Sequence, residues 1–447
     1  MLPEKNAVFS KENLRRLIIP LIIEQTLALT VGLIDTIMVS FSGESAVSGV
    51  SLVDNITVLI INLFTALATG GAIVAAQYLG AKDKKNSERA AKQLIIITVF
   101  FSLLVMILCL FFRRHILNLV FGNVEPEVMR NALIYFFITA FSFPFIALFN
   151  AAASLFRCMG NSKVSMINAF IMNIINIVFN AVFIYGMKLG VAGAAYATVI
   201  SRIVASITMI CMLRNRRLAI SVRSYSLKDT SFLMIKRILN IGIPNGLENS
   251  IFQIGKIIMT SFVAGFGTSS ITAHAIGNSI AGVGVIPGQA MSMALITVVA
   301  QCVGAKEYDQ ADTYIKHLMK QAYIYVATLN IAILVLLKPI LSLCNLSGET
   351  FNLAYKLLLI HGIGAIFIWV VSFTLPNAFR AAGDVRFPMV VSISSMFIFR
   401  IGFSFVFSMT FHIGVLSVWF AMIIDWVFRS VCFLLRWKSG KWKKTAL

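Results

Sequence analysis

Shifted by 224 residues, the chain lies on top of itself. Pro20 and Glu24 fall on Pro244 and Glu248, and Gly43 falls on Gly267. The run Gln77-Tyr78-Leu79-Gly80-Ala81-Lys82 falls on Gln301-Cys302-Val303-Gly304-Ala305-Lys306 at the same offset. Phe156-Arg157 with Gly160 meets Phe379-Arg380 with Gly383 one residue out of step, and Gly190-Val191 then meets Gly414-Val415 back in register. A repeat that covers nearly the whole of an apolar chain marks a protein built from two similar halves around a central path.

The apolar character is extreme. Mean hydropathy is +0.88, 59% of residues are hydrophobic and only 13% are charged. Soluble domains rarely have this composition; polytopic membrane proteins do. Taking roughly 20 apolar residues per crossing, the sequence predicts an all-α polytopic membrane protein with about twelve transmembrane helices, about six in each half. Three of the expected spans are Met129 to Leu155, Ile238 to Gly265 and Ile271 to Cys302. The organisation read from this is an N-lobe over 1–213, a polar cytoplasmic linker over 214–237 and a C-lobe over 238–447. The first span is expected to act as its own uncleaved insertion signal.

The net charge of +20 is unevenly placed. With both termini taken as cytoplasmic, 28 of the 38 Lys and Arg residues lie in cytoplasmic segments, among them Lys5, Lys82, Arg214 and Lys228, and six lie opposite. The other four, Arg202, Lys256, Arg400 and Arg429, lie within spans. That asymmetry orients a multi-pass protein of the cell inner (plasma) membrane. It also explains the basic balance by topology and contact with anionic lipid, and no nucleic-acid partner is expected because no basic soluble domain accompanies the charge. The six cysteines are scattered without a CxxC and read as packing residues. No phosphate-binding loop appears, so transport would draw on an ion gradient and needs no cofactor. The five histidines are dispersed, which argues against an enzyme.

Charges within a bilayer demand a partner or a task. Asp35, in Val31-Gly32-Leu33-Ile34-Asp35-Thr36, is the strongest case, and its repeat mate is the uncharged Met259. It is expected to bind a proton or Na⁺ in alternation with a cationic substrate, or else to serve as a buried hydrogen-bond acceptor. Asn173, Asn176 and Asn180 share one face of the fifth span, since positions three and four apart are neighbours on a helix. Their amide oxygens suit Na⁺ or a carboxylate, and Asn176 and Asn180 are expected to approach Asp35; interhelical glue is the plainer role. Glu24 and Glu248 follow Pro20 and Pro244 by four residues. Their shared position suggests a common structural or gating role beside a kinked helix, with Glu248 also a candidate second-lobe site. Lys256 replaces Gly32 in the repeat and is expected either to neutralise Glu248 or to approach Asp35. Asp425 and Arg429 are expected to pair locally, Arg202 and Arg400 to lock their lobes by ion pairs, and His361 to pack.

These residues resemble a known family. Pro20, Glu24 and Gly32-Leu33-Ile34-Asp35-Thr36 are similar to the first-helix motif of the multidrug and toxic compound extrusion (MATE) transporters, of the NorM/DinF-like bacterial type. Gln77-Tyr78-Leu79-Gly80-Ala81, Phe156-Arg157-Cys158-Met159-Gly160, Asn176 and Asn180 fit the same pattern. The resemblance covers the whole chain. It implies two pseudo-symmetric six-helix lobes in a V and antiport of small amphipathic organic cations against H⁺ or Na⁺ by alternating access. It puts the ion site, for H⁺ or for Na⁺ as a bound metal ion, on Asp35 with Asn176 and Asn180, and a second-lobe acid on Glu248. Lys256 lies outside the pattern. The chain is expected to work as a monomer. An alternative within the same superfamily is a flippase for lipids or lipid-linked glycans.

Overall fold

The computed structural model describes residues 7–122, 124–224, 230–344 and 346–444; Lys5, Lys228 and the centre of the polar connection lie outside the described residues. Every regular element among the described residues is helical. In the first half these are α1 (Lys11–Ser40), α2 (Glu44–Gly80), α3 (Lys84–Phe121), α4 (Pro126–Ala140), α5 (Phe143–Cys158), α6 (Ser162–Asn180) with a π-helical extension Ala181–Gly186, and α7 (Gly190–Leu213). The second half has α8 (Phe232–Ala264), α9 (Thr268–Gly284), α10 (Ile286–Gly304), α11 (Tyr308–Val335) and the short α12 (Leu337–Ser342). It continues with α13 (Gly348–Gly364), the π segment Ala365–Trp369, α14 (Val370–Phe373), α15 (Pro376–Ala381), α16 (Arg386–Ser395), the π segment Met396–Gly402, α17 (Phe403–Phe411) and α18 (Leu416–Lys438). Large apolar side chains such as Phe100, Phe111, Leu119 and Val335 point outward. A backbone bonded within its own helices and an apolar exterior is the arrangement that hydrocarbon requires.

By length and composition, ten of the described helices can cross a membrane, or eleven if α4 and α5 form one span bent by 52°. The sequence predicts about twelve spans on the same length rule. The shortfall has two sources: the bend that divides the expected span Met129 to Leu155 into α4 and α5, and the composition of α8, which is diluted by Asn245, Glu248, Asn249, Gln253 and Lys256. The expected span from Ile271 to Cys302 is broken at Val285, leaving α9 with 17 residues and α10 as the crossing. Pro287 in the first turn of α10 cannot donate a backbone hydrogen bond, which favours a new helix start there. The carbonyl of Gly284 at the break is satisfied by Asn330 Nδ2 at 2.9 Å. The first-half counterpart, α2, runs unbroken for 37 residues.

The repeat is visible in backbone handedness. Positive φ occurs at Lys82 and Lys306 (59° and 61°) and at Lys188 and His412 (53° and 51°). It also occurs at Gly43 and Gly267, Gly160 and Gly383, and Gly190 and Gly414. Each pair is a repeat pair. Lys82 closes α2 in a Schellman turn: Asp83 N–H donates to Tyr78 O at 2.9 Å and Lys82 N–H to Leu79 O at 3.0 Å. Glu307 and Lys306 make the same two bonds to Cys302 and Val303. Asp83 then caps α3, accepting from Asn86 N–H at 3.1 Å, and this bond holds its carboxyl below the usual range.

Pro20 sits inside α1 without ending it. A proline there leaves the carbonyl four residues earlier without its helical donor. The Ser162 hydroxyl, at the start of α6, is shared between that carbonyl, Arg16 O at 3.3 Å, and Leu17 O at 2.6 Å. The bond lost to the ring is thereby replaced from a neighbouring helix.

By contact, the described residues form two compact units, one over Arg15–Gly246 and one over Leu247–Leu447 with the residues up to Leu14. In the first, α2 packs on α3, α4 and α5, and α6 packs on α7. Gly70 of α2 meets the beginning of α8: a Cβ there would lie 2.8 Å from Gly242 N and 2.9 Å from Ile238 O. In the second unit, α10 packs on α11 and α15, and α13 on α9 and α18. There Tyr314 Oη donates to Phe9 O at 2.7 Å and accepts from Phe9 N–H at 3.0 Å.

Small residues permit close backbone approach in membranes, and overpacking a rigid backbone contact costs about 1–3 kcal/mol. Gly70→Val is therefore expected to lower the apparent melting midpoint of the detergent-purified protein by several degrees. Gly348→Ala, where an added Cβ meets nothing within 4 Å, is the control. Equal midpoints for both variants, read by intrinsic fluorescence, would show that the α2–α8 crossing is not tight.

Candidate functional site

A cavity of about 170 Å³ opens in the first unit between α1, α2, α4, α6 and α7. Asp35 comes from α1, Ser51 and Asp54 from α2, Tyr135 from α4, Asn173, Asn176 and Asn180 from α6, and Thr198 and Arg202 from α7. The three asparagines reach one cavity because their spacing places them on one face of α6, and all three are buried. Asn180 Nδ2 donates to Asp35 Oδ1 at 2.8 Å and to Asn176 Oδ1 at 3.2 Å. Asn176 Nδ2 donates to Thr198 Oγ1 at 3.4 Å, and Thr198 passes its own proton to Ala194 O at 3.0 Å. The chain of donors therefore runs along α6 and ends on the backbone of α7.

Donor directions decide what this site can hold. Both amide hydrogens of Asn180 are directed at oxygens, and its own Oδ1 is buried without a donor. A buried acceptor left open costs free energy unless something positive or protonated fills the position. Asp35 and the Asn180 amide oxygen are hard oxygen ligands, of the kind suited to an alkali cation or a proton. At about 170 Å³ the cavity admits an ion and a few waters but falls short of the roughly 300 Å³ at which drug-sized pockets begin.

Two charged residues complete the electrostatics. Asp54 lies near enough to Asp35 for the two carboxylates to repel, and Arg202 is near both. Arg202 is held in place by Ser142, whose Oγ accepts from its Nη1 at 2.7 Å at the bend between α4 and α5. Two acids against one guanidinium leave the cavity with an unmatched negative charge when both are ionised. Asp54 was not among the residues singled out from the sequence. The signal was present, because an acid in the apolar run Ser51-Leu52-Val53-Asp54-Asn55 falls under the same rule that singles out Asp35.

Neither Glu24 nor Glu248 is among the residues that line that cavity, and each is in an ion pair of the same construction. Arg157 Nη1 reaches Glu24 Oε1 at 2.9 Å, and Ser165 Oγ donates to Glu24 Oε2 at 2.7 Å. Arg380 Nη2 reaches both oxygens of Glu248 at 2.7 Å. The second nitrogen of each arginine is bound three residues back, to Ser154 Oγ at 2.9 Å and to Asn377 Oδ1 at 2.8 Å. Glu248 is further approached by Arg429 Nη2 at 4.0 Å, so two guanidinium groups of the protein stand where a bound cation would.

Within its own unit, Lys256 does not pair with Glu248, whose oxygens are taken by Arg380 and approached by Arg429. Its ammonium lies 5.4 Å from the centroid of the Phe252 ring. The expected local pairing of Asp425 with Arg429 is also replaced. Asp425 faces Arg400 at 3.9 Å and accepts a short hydrogen bond from Ser395, while Arg429 turns to Glu248 and to the ring of Phe373 at 4.5 Å. Arg400 thus does find an acid in its lobe. His361 is buried edge-on against Trp419 and Trp426. His274 Nδ1 accepts from Trp419 Nε1 at 3.0 Å.

The MatE family model matches this chain twice, over residues 20–182 and 244–406, two stretches of equal length at the offset of the internal repeat. The chain belongs to the MatE family. Among its relatives are an uncharacterized transporter, YisQ, of Bacillus subtilis, 26% identical over 95% of this chain and 93% of the relative. Another is a probable multidrug resistance protein, NorM, of Thermotoga maritima, 25% identical over 100% of this chain and 96% of the relative. A MATE crystal structure in complex with MaD3S superposes with a TM-score of 0.90 at 22% identity, covering 97% of both chains. A MOP-superfamily transporter from Pyrococcus furiosus, described by a binding pocket of reverse polarity, superposes at 0.89 and 22% identity, over 97% of this chain and 96% of the other. These structural likenesses show the fold, and the family model shows membership among membrane transporters.

Removing one member of a buried ion pair strands the other, at a cost of roughly 3–5 kcal/mol, whereas removing both charges is far milder. Arg157→Met is expected to lower the melting midpoint sharply, and Glu24→Gln in the same chain to restore much of the loss. A double variant as unstable as the sum of its single variants would show that the two residues are not coupled.

Proposed function

We propose that this MatE family member is a secondary antiporter that exports small amphipathic organic cations in exchange for H⁺ or Na⁺ by alternating access. The observation that carries this reading is the bond of Asp35 to the buried Asn180 at 2.8 Å, with the Asn180 Oδ1 left without a donor. Asp35 is the ion-binding group. Asn180 orients its carboxylate and offers an amide oxygen, and Asn176 fixes the rotamer of Asn180. Bound Na⁺ would be held by Asp35 with the amide oxygens of Asn176 and Asn180; a proton would reside on the Asp35 carboxyl. The cavity volume supports the ion, not the drug, as its occupant.

An ion that binds both access states equally shifts nothing. Coupling therefore needs the Asp35 site to differ between states, and the unmatched negative charge is the element that loading removes. Once loaded, the site no longer attracts cationic substrate. Emptied, it restores that attraction across a medium of low polarity, where Coulomb terms are strong. Glu24 with Arg157 and Glu248 with Arg380 serve as structural clamps beside Pro20 and Pro244, consistent with a gating part for both prolines. No catalytic chemistry is assigned. In this reading the protein works in the plasma membrane, supported by its bacterial relatives, with both termini cytoplasmic, supported by the charge asymmetry, and as a monomer.

The test is efflux of a fluorescent organic cation from proteoliposomes under a pH gradient or a Na⁺ gradient, imposed separately. Efflux driven by one gradient and abolished in Asp35→Asn is expected. Asn180→Ala should raise the half-saturating concentration roughly tenfold if the ion is Na⁺, through loss of the amide-oxygen ligand, and should lower it if the ion is H⁺, because the donor that stabilises the ionised Asp35 is gone. Full gradient-driven efflux by Asp35→Asn would overturn the assignment of the ion site.

A further inference from the structure

The polar site of the first unit has a counterpart in the second, and its charge is inverted. Gly32, Val50, Asn176 and Ser201 line the cavity beside Asp35. At the repeat offset of 224 their positions fall on Lys256, His274, Arg400 and Asp425. Those four residues lie together in the second unit. Arg400 faces Asp425 at 3.9 Å, and Lys256 and His274 are both within electrostatic reach of Arg400. Lys256 Nζ and Arg400 Cζ each lie 5.4 Å from the centroid of the Phe252 ring. Both sites also adjoin π-helical turns: Asn180 immediately precedes Ala181–Gly186, and Arg400 lies within Met396–Gly402. Such turns often mark functional positions, because they re-aim side chains within a helix.

The charges of this second cluster do not cancel. Arg380 is paired with Glu248, and Arg400 shares Asp425 with Ser395. Arg400 Nε and two nitrogens of Arg429 are buried without an acceptor. Lys256 is the outlier. Its side chain is exposed, and no carboxylate among the described residues lies within ion-pair distance of it. A lysine within a membrane-spanning segment is tolerated facing a polar cavity, not lipid. The accessible ammonium, the under-satisfied guanidinium and the apolar ring beside them match a ligand with an acidic head and an apolar body.

We infer that Lys256 and Arg400 bind the carboxylate or phosphate group of an amphipathic molecule whose apolar part packs against Phe252. This names a second substrate class, acidic or zwitterionic amphipaths, and it rests on the transport reading above. Lys256 supplies a mobile point charge, and Arg400, held by Asp425, supplies a fixed one. Asp425 keeps the empty site from carrying two uncompensated cations and yields Arg400 when a stronger acceptor arrives.

The experiment measures equilibrium binding of tritiated decanoate and of decyltrimethylammonium, the same tail with opposite heads, to the full-length protein in neutral-lipid nanodiscs, with empty nanodiscs subtracted. Saturable decanoate binding is expected in the wild type. Lys256→Gln should weaken it roughly tenfold or more, and Lys256→Arg should retain most of it. Lys256→Gln should not weaken decyltrimethylammonium, since removing a like charge does not repel a cation. Nanodiscs doped with phosphatidic acid separate two sources of the anionic group: displacement of decanoate assigns the site to a lipid phosphate, and its absence to a free amphipathic acid. Decanoate binding that is absent in the wild type, or unchanged in Lys256→Gln, overturns the site. Loss of gradient-driven cation efflux together with intact decanoate binding would sink the antiport reading alone.

Discussion

The interaction on which each half depends is the bond between a glutamate in its first long helix and an arginine at the end of its fourth expected span. In the first half this is Glu24 with Arg157 and in the second Glu248 with Arg380. Inside a membrane, helices gain little from apolar contact with one another, because lipid tails are as apolar as leucine. Polar bonds and close small-residue contacts must then set the register. A bonded Glu–Arg pair, with the arginine anchored three residues back, fixes the rotation of α1 against α5. That rotation is what turns Asp35, eleven residues beyond Glu24, toward the face of α6 that carries the asparagines. Desolvating two charges is costly, and the hydrogen bonds around each pair are what offset it.

On this duplicated frame the two halves have been lined differently. Where the first half offers Asp35, Asp54 and amide oxygens, the second offers Lys256, Arg400 and an imidazole bound to tryptophan. The backbone positions correspond; the charges do not. On the proposed function, a symmetric scaffold with asymmetric lining would separate two tasks that one cavity performs poorly, holding a small hard cation and receiving an organic molecule. The small volume beside Asp35 argues the same division from size alone.

Much of this was legible in the sequence because membrane chemistry leaves few alternatives. An apolar chain that repeats at a fixed offset has to be a duplicated helical bundle, and an acid within an apolar run has to have a partner. That logic reached Asp35, Asn176 and Asn180 and could have reached Asp54. It did not reach the partners of Glu248 or Asp425, because pairing between spans depends on rotation about helix axes, and the hydropathy pattern does not encode rotation. Local spacing suggested Asp425 with Arg429. The π segment at Met396–Gly402 re-aims Arg400 toward Asp425 instead, and Arg429 is drawn to Glu248. The break at Val285 was hidden for a similar reason: Pro287 was visible, but α2 in the other half argued for continuity.

The left-handed corners carry a further consequence. Five pairs of them recur between the halves, and in one pair the occupant has changed, lysine at 188 and histidine at 412. Lysine at 82 and at 306 tolerates a conformation that glycine would adopt at lower cost, because the hydrogen bonds across the turn define the corner. Handedness at a helix end therefore behaves as an inherited trait of the fold, partly independent of the side chain that fills it. Common descent of the two halves can be read from the signs of a few backbone angles even where residue identity has worn away.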